Sequence, residues 1–408
     1  MTDIRPANWS FALVKQNPFP NTPPRRPEEA VWAGMPRLRS QLDALFIDAL
    51  TTPATQVVLN RGTFGSGKTH AAVFFGTRDQ LPPVAGTQVE DTLILCVRNP
   101  KEGANASEIF YQDIIEAIRF GRLRQTILEL IAERGKQGAL ETLQDAAQSE
   151  ALGRAIWLLG LEERGHRQLE LFDKENESAE WRRMLEAYFF SQSTKGDLKQ
   201  LGLSRGIASA QDRFRVLSAV LHSFIGFSSP EELPDHRRVI LWIDEMEDLV
   251  YFTSRQHRPF TQGLRELTDR LPYYFTLLMN FTLTTPEEWE DINVTLGGAV
   301  MDRMTHHIYF QEPNQDEAFE YICDLLQRFR TEVPERLGLP LTYPFTEDAL
   351  RTAISTLPSC TPRDLNQRCS SIVTKALQRG IITAAGEGIV TTDFVSSLDR
   401  EQIDFDLG

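Results

Sequence analysis

Apolar positions along this chain change period several times, and each change marks an element. Between Met35 and Leu50, the residues Leu38, Leu42, Leu45, Phe46 and Ala49 recur at three and four positions, the spacing of one helical face. Thr51-Thr52-Pro53 ends that helix. Short apolar runs follow at 55–60 (TQVVLN), 91–99 (DTLILCVRN), 237–245 (RRVILWIDE), 273–285 (YYFTLLMNFTLTT) and 306–310 (HHIYF), and these read as strands. A long helical stretch lies between the second and third, from 105 to 235. Its candidate helices are SEIFYQDIIEAIRF, LRQTILELIAERG, the region of AEWRRMLEAYFF, and QDRFRVLSAVLHSFIGF. After 311 the pattern is helical again (NQDEAFEYICDLLQRFR, TEDALRTAIST, TPRDLNQRCSSIVTKALQRG), and the segment from 381 is short and polar.

Strands alternating with helices predict an α/β fold with a parallel sheet covered on both faces. Residues 1–30, containing NPFPNTPPRRPEE, are too rich in proline for a helix or inner strand. They form an irregular arm made basic by Arg25 and Arg26, expected to lie solvated over the core. The α/β domain is expected over 31–310, with the helical insertion inside it, and a helical lid over 311–408.

Composition narrows the function classes. The net charge is -14, which excludes a surface that is a cationic nucleic-acid grip throughout but leaves room for a local basic patch. The positive charge is mostly arginine, the better clamp for phosphate. Cys96, Cys323, Cys360 and Cys369 form no C-x-x-C pair or zinc spacing and are expected as reduced thiols of a cytoplasmic protein. No signal-peptide pattern and no apolar run of membrane-spanning length is present. His306-His307 precedes an apolar triplet, a strand setting rather than a metal site.

The chemistry begins at Gly62-Thr63-Phe64-Gly65-Ser66-Gly67-Lys68-Thr69, which matches the P-loop pattern G-x-x-x-x-G-K-[ST]. Glycines let backbone N–H groups curl round phosphates, and the following helix aims its positive end at them. Lys68 adds charge for the β- and γ-phosphates, and Thr69 a hydroxyl for Mg2+. A chance match in a chain this long is on the order of one in a hundred, and here an apolar strand precedes the loop and a helix follows it. ATP with Mg2+ is the expected ligand. The run VILWIDE ends in Asp244-Glu245, placing two carboxylates at the C-terminal edge of the sheet, where open α/β sheets bind ligands. Asp244 is the expected magnesium-side carboxylate, and Glu245 the group that orients or deprotonates the attacking water. Glu247 and Asp248 read as a solvated acidic turn.

P-loop, acidic pair, a strand ending in polar residues and a helical lid carrying an arginine: this order resembles an AAA+ ATPase, and within that family the initiator-like branch of origin-recognition and transposition-regulator ATPases. The resemblance spans about 30–105 and 235–400 of this chain. It implies a P-loop AAA+ core and assembly into a ring or filament in which a neighbour completes each site. It implies a sensor at the tip of the fourth strand, met by Thr284 and Thr285, or by Asn280 if the strand stops early. Arg303 resembles the arginine finger that reaches a neighbour's γ-phosphate; its alternative is a surface salt bridge. Arg363 resembles the lid sensor that contacts the nucleotide; its alternative is a helix-end ion pair with Asp364. WAGMPRLRSQL resembles the segment that holds the adenine base.

The chain departs from that pattern at 105–235, where several extra helices stand in place of one, a candidate site for a protein partner, DNA or an oligomer contact. Inside it, Gln168-Leu169-Glu170-Leu171-Phe172 resembles the peptide by which replication proteins dock into the sliding clamp. The implied roles are replication, transposition or mobile-element (phage) defence, with DNA as partner. The alternative is a nucleotide-gated switch that binds proteins and no DNA. The acidic charge favours the alternative, as does the lack of a helix-turn-helix pattern after the lid.

Overall fold

The computed structural model describes residues 7–84, 91–161, 171–227, 237–283, 285 and 288–407. Its strands are β1 (Gln56–Gly62), β2 (Leu93–Arg98), β3 (Val239–Asp244), β4 (Phe275–Thr282) and β5 (His306–Phe310), and they form one five-stranded parallel sheet in the order β2-β3-β4-β1-β5. The helices are α1 (Pro36–Thr51), α2 (Lys68–Phe74), α3 (Ala106–Ile118), α4 (Phe120–Ala147), α5 (Glu150–Leu158), α6 (Leu171–Phe189), α7 (Lys195–Leu201), α8 (Ala210–Ile225), α9 (Ser254–Arg270), α10 (Glu288–Leu296), α11 (Gly298–Met301), α12 (Gln315–Phe329), α13 (Glu347–Ser355), α14 (Pro362–Gln378) and α15 (Thr392–Leu407). The fold is thus α/β, a parallel sheet flanked by helices, as the alternation of strands and helices predicts.

Burial explains the strand patterns. β3 is buried at every position, the signature of an inner parallel strand covered on both faces. β2 and β5 stand at the edges, and there buried and more exposed positions alternate. The register pairs Leu93 with Val239 and Arg98 with Asp244, and Val239 with Phe275.

The chain divides into two compact units. One comprises Asp43–Arg61 and Gly76–Ile308. Its core is continuous from the sheet into the insertion: Val57, Leu95, Phe110, Ile114, Ile127, Ile156, Tyr188, Phe214, Leu217, Leu241 and Leu264 belong to one buried cluster. The extra helices therefore share the sheet's core rather than forming a satellite domain. Two of them, α5 and α7, have no counterpart among the expected helices, being only two turns or so long. Capping boxes start α7 (Thr194 with Asp197) and α8 (Ser209 with Asp212). Gly135, at φ 72°, breaks α4. The clamp-like segment 168–172 lies mostly outside the described residues; α6 begins at Leu171.

The other unit comprises Met1–Leu42, Gly62–Phe75 and Tyr309–Gly408. Its core joins Ala12, Val14 and Phe19 of the arm to Ile322, Leu350, Leu365, Ile372 and Val395 of the lid. The first part of the arm is anchored, whereas Arg25 and Arg26 are exposed as expected. Lys15 N donates to Phe329 O at 2.9 Å, Asn17 Nδ2 to Ser370 Oγ at 2.8 Å, and Asn366 Nδ2 to Pro20 O at 2.9 Å. The polar tail expected from 381 contains helix α15, held by the single apolar stripe of Val395 and Leu398. Among the described residues no helix is long and apolar enough to cross a membrane.

One buried titration follows from this packing. His222, in the last turn of α8, lies 4.5 Å from the Phe227 ring. Burial, then the charge of Arg134, pushes its pKa down to about 4. An unfolded histidine protonates near pH ~6.5, so between those values the unfolded chain binds more protons and stability falls as pH falls. The full difference is roughly 3 kcal/mol. Urea unfolding at about pH 7 and about pH 4.5 should show His222→Gln losing less stability on acidification than the parent. An identical loss in both would contradict the assignment.

Candidate nucleotide site

The candidate residues fall in both compact units. In the unit that contains the lid, β1 runs into the glycine loop and α2 starts at Lys68. Gly65 (φ 81°) and Gly67 (φ 98°) adopt the left-handed conformation that side chains resist. Gly62 is required for a different reason: a Cβ there would lie 2.7 Å from Phe310 Cβ and from Ser66 Oγ. A Cβ on Gly65 would also lie 2.9 Å from Arg363 Cβ. The N-cap position of α2 is Gly67, which has no side chain to cap the first turn. Lys68 is buried, and its ammonium donates to Gly62 O and Thr63 O, both at 2.9 Å, and to Ser66 Oγ at 3.3 Å. A cation ringed by backbone carbonyls inside a glycine bowl fits a phosphate ligand, and Thr69 stands next to it on α2.

The same unit holds an aromatic cluster beside α2. The Trp32 ring lies 5.4 Å from Phe74, 5.8 Å from Phe75 and 6.4 Å from His70. The Arg39 guanidinium stands 5.0 Å over both phenylalanines. Burial lowers the pKa of His70, so the ring is neutral. Its Nε2 lies 2.9 Å from Val31 O, which assigns the proton to Nε2 and leaves Nδ1 an acceptor. Trp32 and Arg39 fall within WAGMPRLRSQL, the segment the resemblance implies for the base. His70, Phe74 and Phe75 were not anticipated; the signal was an aromatic pair one turn past the P-loop threonine.

In the sheet unit, Asp244 is the buried last residue of β3. Its Oδ1 accepts from Asn280 Nδ2 at 2.8 Å. Asn280 Oδ1 in turn accepts from Trp242 Nε1 at 2.8 Å and Asn60 Nδ2 at 2.9 Å. A buried polar chain thus crosses β1, β4 and β3 and fixes the carboxylate. Glu245 follows at φ 59°, a left-handed strain of roughly 1–2 kcal/mol for a residue with a Cβ. Lys101 Nζ lies 3.6 Å from its Oε2. Glu247 is not merely solvated, since its Oε2 accepts from Thr282 N at 3.1 Å and ties off the end of β4.

No protein-family profile and no curated protein matches the sequence. Among solved structures, 45 chains match it. They include the Aeropyrum pernix ORC1 protein in complex with DNA (TM-score 0.40, 11% identity, covering 92% of this chain and 69% of that one). Another is a Walker-type ATPase of Pyrococcus abyssi (0.40, 12%, 96% and 78%). A third is Drosophila ORC bound to DNA (0.40, 11%, 97% and 64%). At these identities and TM-scores the likeness carries no residue roles, and the candidate site stands on its own geometry.

Set beside the initiator-like expectations, the remaining positions divide. Asn280 touches Asp244, whereas Thr285 is an exposed bend residue past the end of β4 and Thr284 lies outside the described residues. Arg363 is in the first turn of α14, its guanidinium 4.0 Å over the exposed Phe64 ring of the P-loop. Asp364 is engaged instead by Thr361, whose Oγ1 donates to it at 2.6 Å. Arg303 is held by Asp269, with Nη2 at 2.6 Å and Nε at 2.7 Å from Oδ1.

Asn280→Ala should strip partners from Asp244, Trp242 and Asn60 together, costing roughly 2 kcal/mol of stability. If Asn280 also serves the reaction, kcat for ATP should fall about tenfold or more with KM little changed. Thr285→Ala should leave both near wild type. The reverse pattern would return the sensor role to the threonines.

Proposed function

We propose that the chain is an AAA+ ATPase that binds and hydrolyses Mg-ATP, assembles with ATP into an oligomer, and acts on DNA or a DNA-bound protein complex. The observation that carries the ATPase reading is the glycine bowl, with its two left-handed glycines and the buried Lys68 ammonium. Lys68 and the loop N–H groups bind the phosphates, and Arg363 stacks on the loop from the lid. Thr69 and Asp244 would hold magnesium, which supplies charge neutralisation on the transferring phosphoryl group. Glu245, held next to Lys101, would orient the attacking water and take its proton.

The site-sharing part rests on Arg303. Its ion pair with Asp269 is partly exposed and contributes about 1 kcal/mol or less, and its Nη1 also donates to Ala299 O, so both contacts would open for it to reach a neighbour's nucleotide. Arg303→Ala should keep ATP binding and lose turnover by about 10²-fold or more. Mixing it with Glu245→Gln should recover part of the rate, because some junctions then hold two intact halves. A wild-type rate for Arg303→Ala alone would leave Arg303 as a surface ion pair.

A second reading, a nucleotide-gated switch that binds only proteins, is favoured by the net charge of -14. The two separate on one assay. Duplex DNA at about 50 mM salt should bind and raise ATP turnover under the first reading, and do neither under the second.

A further inference from the structure

The start of the sheet's β2 and β3 carries a cluster of arginines that the nucleotide site does not use. Arg78, in a turn after α2, donates from Nε to Thr92 O at 2.8 Å, immediately before β2. Arg237 lies two residues before β3, and the register sets Leu93 against Val239, so both arginines stand at the same end of neighbouring strands. Arg237 Nη1 bonds Glu129 Oε2 of α4 at 2.8 Å. Arg122 precedes Glu129 by two turns on the same face of α4, and its guanidinium lies 5.6 Å over the Phe224 ring. The only carboxylate in ion-pair contact with the three among the described residues is Glu129. Arg122 feels the crowding. Burial first, then the charges of Arg78 and Arg237, holds its pKa below the usual value.

Among the described residues, three guanidinium groups share one ion-paired carboxylate, in a chain of net charge -14. Among the described residues the planar donor fork of Arg122 has only the Phe224 ring against it. That fork is built for phosphate oxygens. Two helical turns separate Arg122 from the Glu129–Arg237 pair, a rise of about 10 Å. That spread suits a polyanion carrying several phosphates better than one small anion. The cluster is also at the opposite end of β3 from Asp244.

We propose that Arg78, Arg122 and Arg237 form a contact surface for the phosphodiester backbone of double-stranded DNA. This rests on the DNA part of the proposed function and gives it a location. The contact is to backbone, so it is indifferent to base sequence and steeply salt-dependent.

The test is fluorescence anisotropy of a labelled duplex with the full chain and ATP, over about 50–200 mM salt. Arg122→Gln should reduce the slope of log affinity against log salt by about 1, and Arg78→Gln with Arg122→Gln by about 2, with affinity at the lower salt falling about tenfold or more. The exposed Arg328→Gln on α12 is the control for charge alone and should stay within roughly twofold. Far-UV circular dichroism and Tm establish that each variant is folded, and Arg122→Gln alone, at an exposed site, serves if the double variant is not. Wild-type binding matched in affinity and slope by the folded Arg122→Gln and double variants overturns the surface and leaves the ATPase reading intact. No duplex binding by the wild type at all overturns the DNA part of the function, and this surface with it.

Discussion

Glu245→Gln should bind ATP as the parent does and stop turning it over, with kcat reduced roughly 10²-fold or more. Gln fills the same volume and meets the same left-handed backbone, so the φ of 59° is not an added cost of the change. Lys101 loses its charge partner at 3.6 Å, but a half-exposed pair of that length contributes little to stability. What the substitution removes is the proton acceptor and the charge that aligns the water. Equilibrium binding of a fluorescent ATP analogue and single-turnover hydrolysis separate the two effects. Parent-like hydrolysis by Glu245→Gln would remove Glu245 from the mechanism.

Lys68→Ala should act one step earlier. The ammonium is buried and bridges Gly62 O, Thr63 O and Ser66 Oγ, so the change deletes the charge that phosphate would meet and leaves those carbonyls without their donor. A charge-assisted contact of this kind contributes about 3 kcal/mol, or roughly a hundredfold in affinity. ATP binding by titration calorimetry should therefore fall about a hundredfold or beyond detection, with the far-UV spectrum unchanged. Lys68→Arg should not rescue it, because a planar fork cannot occupy a bowl sized for one ammonium. Tight binding by folded Lys68→Ala would place the nucleotide elsewhere.

Much of this arrangement is legible in the sequence, for local reasons. VILWID and FTLLMNFT are apolar on both faces because inner parallel strands are buried on both, and the P-loop is legible because phosphate recognition demands glycines at set spacing. The order of the strands is not legible. Nothing local says that β4 lies between β3 and β1, and hence that Asn280 and Asn60 meet below Trp242 and reach Asp244. The trace it leaves is one asparagine in each of two buried strands, Asn60 in β1 and Asn280 in β4. A buried amide there must find partners, and that argument favours Asn280 over the more conspicuous threonines after it.

The insertion shows the same limit. Its helical periodicity is plain, but periodicity identifies an apolar face and not what covers it. Phe110 packs against Phe214 and Phe260, from α3, α8 and α9, which join the insertion to the helix following β3. Lys101, which lies beside Glu245, immediately precedes the insertion. The chain segment carrying the extra helices is therefore covalently next to a residue that holds the candidate base. The arm shows a related limit: its prolines exclude a long helix or an inner strand, but they do not exclude burial of Phe19.

Phosphate release from ATP by the purified full chain is the most direct measurement of the central claim. The expected result is release that requires magnesium, is abolished by EDTA, and is lost in both Lys68→Ala and Glu245→Gln. No release above the protein-free control, with ATP, magnesium and duplex DNA all present, would contradict it.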